Sequence, residues 1–329
     1  EKLSWSNLAY VSIGRGGGVR YHNSASVIAR DEEGLVDWDE IEYNNQNKTL
    51  FGATYSTADP LYHPTDFKSS QIMSASVNNH MWIGGLSQFD LKANDKWTVA
   101  GGLDYRYYKG THYVEIKDLL GGDYYVSETN KNSTTARKVV GDKIADAAKP
   151  YQNHRDGLVQ WIGAFGQAEY SSGRWTAFVN LSGVINGYKG IDYFQKKKLQ
   201  VGDSLLEIGN HQILVDGQVE YVSDTVILDG KTYTTATEEL EYDNTGWKWL
   251  SGGTVKAGVN FNVTEKSNIF MNAGYLSRTP QYSNVVNNTD NEFFVEILNE
   301  NIMAFELGYG YRSKKISVNA NGYVTYWQN

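Results

Sequence analysis

The chain has 329 residues, a formal net charge of -8 and no cysteine, which excludes disulfides and thiolate metal sites and argues against a nucleic-acid partner. It holds 33 glycines and 24 tyrosines against only 4 prolines, a composition that suits long strands because each proline removes a ladder hydrogen bond. No run of about 18 apolar residues occurs, so we expect no membrane-spanning helix.

Apolar and polar residues alternate along extended stretches of the chain. Between residues 97 and 108, Leu103 and Tyr105 fall on one side, whereas Asp104, Arg106 and Tyr108 fall on the other. A period of two indicates a strand whose two faces meet different environments. One face is rich in aromatic residues and the other in glycine, charge and hydroxyls, which is the pattern of a transmembrane β-barrel.

The same pattern predicts nine strands, and four short turns join them in pairs. Tight turns of this kind connect neighbouring antiparallel strands as hairpins. In chain order the strands are 3–14, 71–91, 97–112, 158–170, 175–187, 249–263, 268–278, 302–313 and 316–328, with turns at 93–96, 171–174, 264–267 and 313–315.

Every other connection is long. The long loops are 15–70, 113–157, 188–248 and 279–301. Such loops are unusual in a compact soluble domain but common on the outer side of outer-membrane barrels, whose periplasmic turns are short. The sequence therefore predicts one all-β domain over 1–329, an antiparallel transmembrane barrel with its four long loops outside the cell.

Local signals predict structure inside these loops. Residues 34–47 are expected to form a short helix, with Asp37 or Asp39 near its start. Residues 205–235 are expected to form a small β-excursion with turns at 216–217 and 229–230. The glycine-rich segment 14–18 lacks the ending of a phosphate-binding loop, and we interpret it as a flexible exit from the first strand.

Nine strands cannot close an up-and-down barrel, and an open edge is not viable in lipid. We therefore expect the chain to be an internal part of a longer protein.

Several segments, in this order along the chain, resemble one family. They are 12–18 (SIGRGGG), 37–39 (DWD), 76–82 (SVNNHMW), 101–110 (GGLDYRYYKG), 118–123 (DLLGGD), 187–194 (GYKGIDYF), 274–280 (GYLSRTP) and 305–312 (FELGYGYR). The chain resembles the TonB-dependent outer-membrane receptors of the Bacteroidota, the SusC-like type. The resemblance implies a barrel of about 22 strands filled by a plug that this chain lacks. It also implies energy from TonB–ExbB–ExbD, and it raises a SusD-like lipoprotein as a further partner.

The alternation also orients the predicted wall. We expect Trp97, Val99, Leu103 and Tyr105 to face lipid. Trp97, Trp175 and Tyr311 should form an aromatic girdle on the periplasmic side of the membrane, and Tyr105, Tyr107 and Tyr275 a second girdle on the extracellular side. The charged and hydroxyl-bearing residues should face the lumen and contact the plug, neighbouring side chains or the ligand. These candidates are Asp104, Arg106, Tyr108, Glu169, Glu306 and Arg312.

No catalytic motif is present, and the six histidines form no metal-binding pair, so we expect neither an enzyme nor a cofactor or metal site. Acidic residues outnumber basic ones in three of the loops, which indicates either a cation-attracting mouth or a merely solvated surface. The leading hypothesis is active import of a glycan, peptide or metal chelate. A passive porin or adhesin-like barrel and a soluble all-β carbohydrate-binding protein remain alternatives.

Overall fold

A computed structural model of the chain describes residues 2–23, 29–47, 49–50, 53–54, 59–146, 149 and 152–329. Nine long strands form one antiparallel sheet, here called the wall. They are β1 Leu3–Gly14, β2 Gln71–Lys92, β3 Trp97–Asp118, β4 Arg155–Ser172, β5 Trp175–Asp192, β6 Lys248–Thr264, β7 Ser267–Arg278, β8 Glu300–Arg312 and β9 Ser317–Gln328.

The wall follows chain order without a crossover, and each strand pairs with the next. The all-β fold class and the nine predicted antiparallel strands are thereby confirmed. The strands β1 and β9 each pair on one side only within the described residues, so the wall has two open edges. With 22 residues each, β2 and β3 are about twice as long as the 9–11 residues that cross a bilayer.

The short connections all lie at one end of the wall, the turn end. Between β2 and β3, the Asn94 carboxamide oxygen accepts hydrogen bonds from the backbone N–H groups of Lys96 and Trp97, at 2.9 and 3.0 Å. Between β4 and β5 the chain reverses through Gly173, whose φ of +59° suits glycine. The predicted turns therefore lie where the sequence placed them.

The long connections lie at the opposite end, the loop end, and carry the remaining elements. The helix α1 spans Trp38–Asn47, and Asp37 caps it by accepting a hydrogen bond from the Glu40 N–H at 2.9 Å. Three short strands extend the wall: Gly17–Asn23 beside β2, Lys143–Ile144 beside β3, and Asp243–Asn244 beside β5.

The other loop strands form separate two-stranded ladders, and a 3-10 turn spans Tyr282–Asn284. These ladders are Thr49–Leu50 with Ala53–Thr54, Tyr125–Val126 with Arg137–Lys138, Lys197–Val201 with Ser204–Ile208, Asn210–Val215 with Gln218–Ser223, Val226–Leu228 with Lys231–Tyr233, and Val286–Asn287 with Glu292–Phe293. The predicted excursion is present. Asp216 and Asp229 have φ of +51°, and glycines with positive φ follow both, as type I′ hairpin turns require.

The glycine-rich segment 14–18 is not the flexible exit that the sequence suggested. The strand Gly17–Asn23 continues β1 along β2 in an unchanged register, with only Arg15 and Gly16 outside the ladder. A Cβ at Gly17 would lie 2.7 Å from the Ser76 carbonyl oxygen, so glycine here permits close approach of two backbones. Strands β3, β4 and β5 likewise run several residues into the expected loops 113–157 and 188–248.

The two faces of the wall differ in chemistry. On the outer face, large apolar side chains are exposed, with Leu103 at 65% and Leu307 at 60%. The same holds for Trp5, Ile162, Leu181, Val255, Met271 and Phe305. The opposite face, here called the inner face, carries Asp104, Arg106 and other polar groups. That this face lines a lumen stays a prediction. No helix among the described residues is long and apolar enough to cross a membrane.

Candidate ligand site on the inner face

Register partners on neighbouring strands project to the same face, and this builds a polar and aromatic surface on the inner side of β2 to β5. Arg106 pairs with Trp161, and its guanidinium lies 5.5 Å from the Trp161 ring centroid. The same guanidinium donates to the Asp104 carboxylate at 2.7 and 3.2 Å. Tyr108 pairs with Trp82, and their rings lie 4.6 Å apart.

The structure thus brings three of the predicted site residues together and leaves three elsewhere. Asp104, Arg106 and Tyr108 lie on one patch of β3. Glu306 lies on β8 and accepts hydrogen bonds from Asn272 at 3.0 Å and Asn321 at 2.6 Å. The remaining two, Glu169 and Arg312, lie close to the turn end, within four residues of short turns.

The loop between β7 and β8 folds onto the inner face close to this patch. Gly157 and Gly190 are register partners, and the loop occupies the space above them. A Cβ at Gly157 would lie 3.1 Å from Cζ of Tyr282, and one at Gly190 would lie 2.7 Å from Oδ1 of Asn291. Val285 is fully buried there, so the loop is seated against the wall.

Tyr282 borders two hollows on this face. One hollow, of about 440 Å³, is lined by Asn78, Tyr108, His112, Asn153, Arg155 and Gln281, among others. The other, of about 530 Å³, is lined by Asp104, Trp161, Phe165, Asn186, Thr279 and Gln281, among others. Together they form the candidate ligand site, which combines aromatic rings with amide side chains and one ion pair.

The charges around the first hollow are balanced. Arg155 donates to the Asp192 carboxylate at 3.0 Å, and both side chains are buried. Burial lowers the pKa of His112, which lies beyond the apolar part of β3, so its imidazole is neutral at neutral pH. Burial also raises the pKa of Tyr282 to about 12. The hollow therefore offers polar contacts without a net charge.

Three buried polar atoms that border the hollows have no hydrogen-bond partner among the described residues. They are Nη1 of Arg155, Oδ1 of Asn153 and Oδ1 of Asn186. Buried polar groups are normally paired, since an unpaired one costs about 1–3 kcal/mol. One unpaired donor and two unpaired acceptors therefore suit a ligand that both accepts and donates hydrogen bonds.

The sequence missed several of these residues. Trp161 could have been found from the alternation, because it lies on the same face of β4 as Val159 and Gly163. Its register partner is Arg106. Arg155, Asp192 and Tyr282 fall in segments that were expected to be loops, where no period indicates which residues meet. Among the described residues, no group of three or more histidine or acidic side chains could hold a metal ion.

Comparisons with known proteins complete the description of the chain. No protein-family model matches it, and no curated protein matches it in sequence. Among solved structures it is similar to one titled "Copper transporter OprC", at 15% identity and a TM-score of 0.45, over 78% of this chain and 32% of that one. It is also similar to a FadL homologue of Pseudomonas aeruginosa, at 9% identity and a TM-score of 0.24, over 98% of this chain and 81% of that one. The chain thus spans about a third of the first structure's length.

Proposed function

We propose that the chain is part of the wall of an outer-membrane β-barrel, and that the whole protein imports a nutrient by active, TonB-dependent transport. The observation that carries the proposal is the two-faced wall. Its outer face exposes apolar side chains along the strands, and its inner face carries polar groups and hydrogen-bonding hollows. Lipid outside and a wet lumen inside satisfy both faces.

The exposed apolar face argues against the soluble alternative. A soluble β-sandwich buries such a face under a second sheet. Among the described residues, the only other sheets are two-stranded ladders in the loops. Leaving Leu103, Val255 and Leu307 half or more exposed to water would be unfavourable, whereas lipid accommodates them without cost.

The open edges of the wall support a larger barrel. Unpaired backbone groups of β1 and β9 would be unsatisfied in lipid, so further strands must pair with them. A barrel of about 22 strands encloses a lumen wide enough to need a plug. Opening a plug requires work, and the resemblance to SusC-like receptors assigns that work to TonB–ExbB–ExbD. It leaves a SusD-like lipoprotein as a further candidate partner.

The candidate ligand site favours an uncharged polar nutrient. Arg155 is balanced by Asp192, and His112 and Tyr282 are neutral at neutral pH. Among the ligands that the sequence leaves open, a glycan or a peptide backbone fits these contacts better than a charged metal chelate. The acidic loops then serve as a solvated surface.

The test is uptake by the full-length protein in cells with and without TonB. A site variant, Tyr282→Ala, removes a ring that borders both hollows, and Tyr323→Ala, on the inner face of the edge strand β9, is its matched control. We expect saturable uptake that needs TonB and that weakens in the first variant only. Undiminished uptake without TonB would make the barrel a passive channel.

A further inference from the structure

The outer face changes character near the loop end of the wall, and aromatic rings mark the change. Tyr107 of β3 and Trp249 of β6 lie on one line of register partners, through Gln160 and Gly187. The Trp249 ring covers Gly187, where a Cβ would lie 2.7 Å from it. Rings of this kind collect at the boundary between membrane and water. In the proposed orientation this line therefore lies at the level of the lipid headgroups.

The next outward-facing line, two residues further along each strand, carries two lysines. Lys109 of β3 and Lys189 of β5 are both register partners of Leu158 on β4. Two strand spacings separate their backbones by about 10 Å. The flexible side chain of Lys189 can therefore bring its ammonium group to an anion that lies beside Lys109.

A buried carboxylate fixes one of the two lysines. Lys109 donates to Asp156 at 2.7 Å, and this carboxylate also accepts hydrogen bonds from Thr111 and Tyr193, each at 2.6 Å. Asp156 lies beyond the apolar part of β4, and although burial tends to raise its pKa, these hydrogen bonds hold the pKa below its usual value. The Lys109 side chain remains 37% exposed. Lys189 has no ion-pair partner in the part of the chain that the structure describes.

More cations lie beyond this line. Lys143 covers the Tyr113 ring at 4.7 Å, and Lys197 covers the Tyr242 ring at 4.8 Å. The acidic neighbour Glu115 is paired with Lys117. A local excess of positive charge in a chain of net charge -8 indicates an acidic partner at this position.

We propose that Lys109 and Lys189 bind the phosphate group of a lipid in the outer leaflet, while Leu158 and Tyr107 contact its apolar part. This inference rests on the proposed membrane position of the wall and adds a lipid-binding site to it. The aromatic line sets the depth, and the lysine pair supplies the charge that complements a phosphate. Because Asp156 holds Lys109 in place, we expect the lipid to bind at β3 to β5 rather than anywhere around the barrel.

The experiment uses the full-length protein in detergent and compares it with Lys189→Gln. The probe is phosphatidylglycerol, added in mixed micelles and followed by native mass spectrometry, with zwitterionic phosphatidylcholine and free inorganic phosphate as parallel arms. Lys256→Gln is the matched control, because Lys256 is a wall lysine on the inner face, paired with Asn180 and Gly274. Lys109→Gln is a second variant.

We expect Lys189→Gln to weaken phosphatidylglycerol binding about fivefold, the share of one surface lysine, and Lys256→Gln to leave it unchanged. Equal binding by the wild type and Lys189→Gln would overturn the site, as would an equal loss in Lys256→Gln. If free phosphate saturated the site at the same concentration as the lipid, the two lysines would form a general anion site, and the lipid assignment would be overturned. Heat-modifiable gel migration of every variant separates these outcomes from failure of the barrel itself.

Discussion

At several positions of the wall a glycine is paired with an aromatic residue whose ring fills the space where a Cβ would lie. Gly102 is paired with Phe165, and a Cβ at Gly102 would lie 2.7 Å from the Phe165 ring and 2.4 Å from the Ser87 carbonyl oxygen. The same pairing recurs for Tyr10 with Gly84, Phe178 with Gly258, and Phe270 with Gly308. Each ring covers the backbone of its glycine partner and so shields the ladder.

We expect Gly102→Ala to lower the free energy of unfolding by about 1–3 kcal/mol, because the added methyl must displace backbone as well as a ring. Gly183→Ala is the matched control, since a Cβ there meets nothing within 4 Å. Urea unfolding in detergent, followed by tryptophan fluorescence, measures both. Equal stabilities of the two variants would contradict the close approach seen at Gly102.

A second residue-scale feature is the histidine at the loop end. His154 stacks on Tyr193 at 4.3 Å, and burial, together with the nearby Lys143, lowers its pKa to about 4. Between pH 6.5 and about 4 the unfolded chain binds a proton that the folded chain does not. Local stability is therefore complete above this window and falls as the pH falls through it.

We expect backbone amides of residues 193–196 to exchange faster at pH 5 than at pH 7, after correction for intrinsic exchange rates. His154→Phe keeps an aromatic ring against Tyr193 but cannot titrate, so it should lose this pH dependence. Hydrogen exchange measured by mass spectrometry compares the two proteins. A pH dependence that persists in His154→Phe would assign the effect to another group.

Among the elements, the β-excursion between β5 and β6 behaves as a unit with its own core. Leu206, Ile208 and Tyr233 are buried in one apolar cluster of this segment. Its two ends meet through paired backbone hydrogen bonds between Lys198 and Glu241, at 2.8 and 3.0 Å. It also contacts both preceding loops, since Asn210 and Val219 each donate a backbone hydrogen bond to them at 2.6 Å.

We expect replacement of residues 199–240 by a short Gly-Ser linker to leave the wall folded, because the removed core is separate from it. Residues 61 and 131, which accept the two hydrogen bonds, should then exchange amide hydrogens faster together with their neighbours. Heat-modifiable migration tests the wall, and hydrogen exchange tests the loops. Loss of the folded form would show that the excursion is instead part of the wall's core.

The sequence predicted the turn ends of the strands well and their loop ends poorly, and β3 shows why. From Trp97 to Tyr107 the outward positions are apolar, whereas further along they become Thr111, Glu115 and Lys117. The inward positions Val114 and Ile116 turn apolar there, because they pack in a buried cluster with loop residues. Beyond the apolar part, the apolar residues of β3 therefore lie on the inner face and the polar residues on the outer face. A prediction that assumes apolar residues on the outer face throughout ends the strand at residue 112, too early.

The sequence likewise predicted only part of the candidate ligand site. Asp104, Arg106 and Tyr108 follow from alternation within one strand, and they do lie together. Arg155 and Asp192 are register partners at the loop ends of β4 and β5, beyond the point where the predicted strands stop, and the contacts of Tyr282 depend on how the loop between β7 and β8 folds onto the wall. Such contacts are long-range, and no local propensity or period encodes them.

At the scale of the whole molecule, the wall has three levels. Short turns close one end, an apolar outer face occupies the middle, and charged rows with folded loops occupy the other end. In the proposed orientation these levels meet three environments, with the periplasm at the turns, lipid in the middle and the exterior at the loops. The central claim is therefore that the outer face of β3 contacts lipid while its inner face contacts water.

The most direct test places single cysteines at residues 103 to 106 of this cysteine-free chain, in the full-length protein reconstituted in lipid. Each carries a nitroxide, and electron paramagnetic resonance compares collision with lipid-soluble oxygen and with a water-soluble nickel chelate. The account predicts strict alternation, with oxygen favoured at Leu103 and Tyr105 and the nickel chelate favoured at Asp104 and Arg106. Uniform accessibility, or the opposite phase, would contradict it.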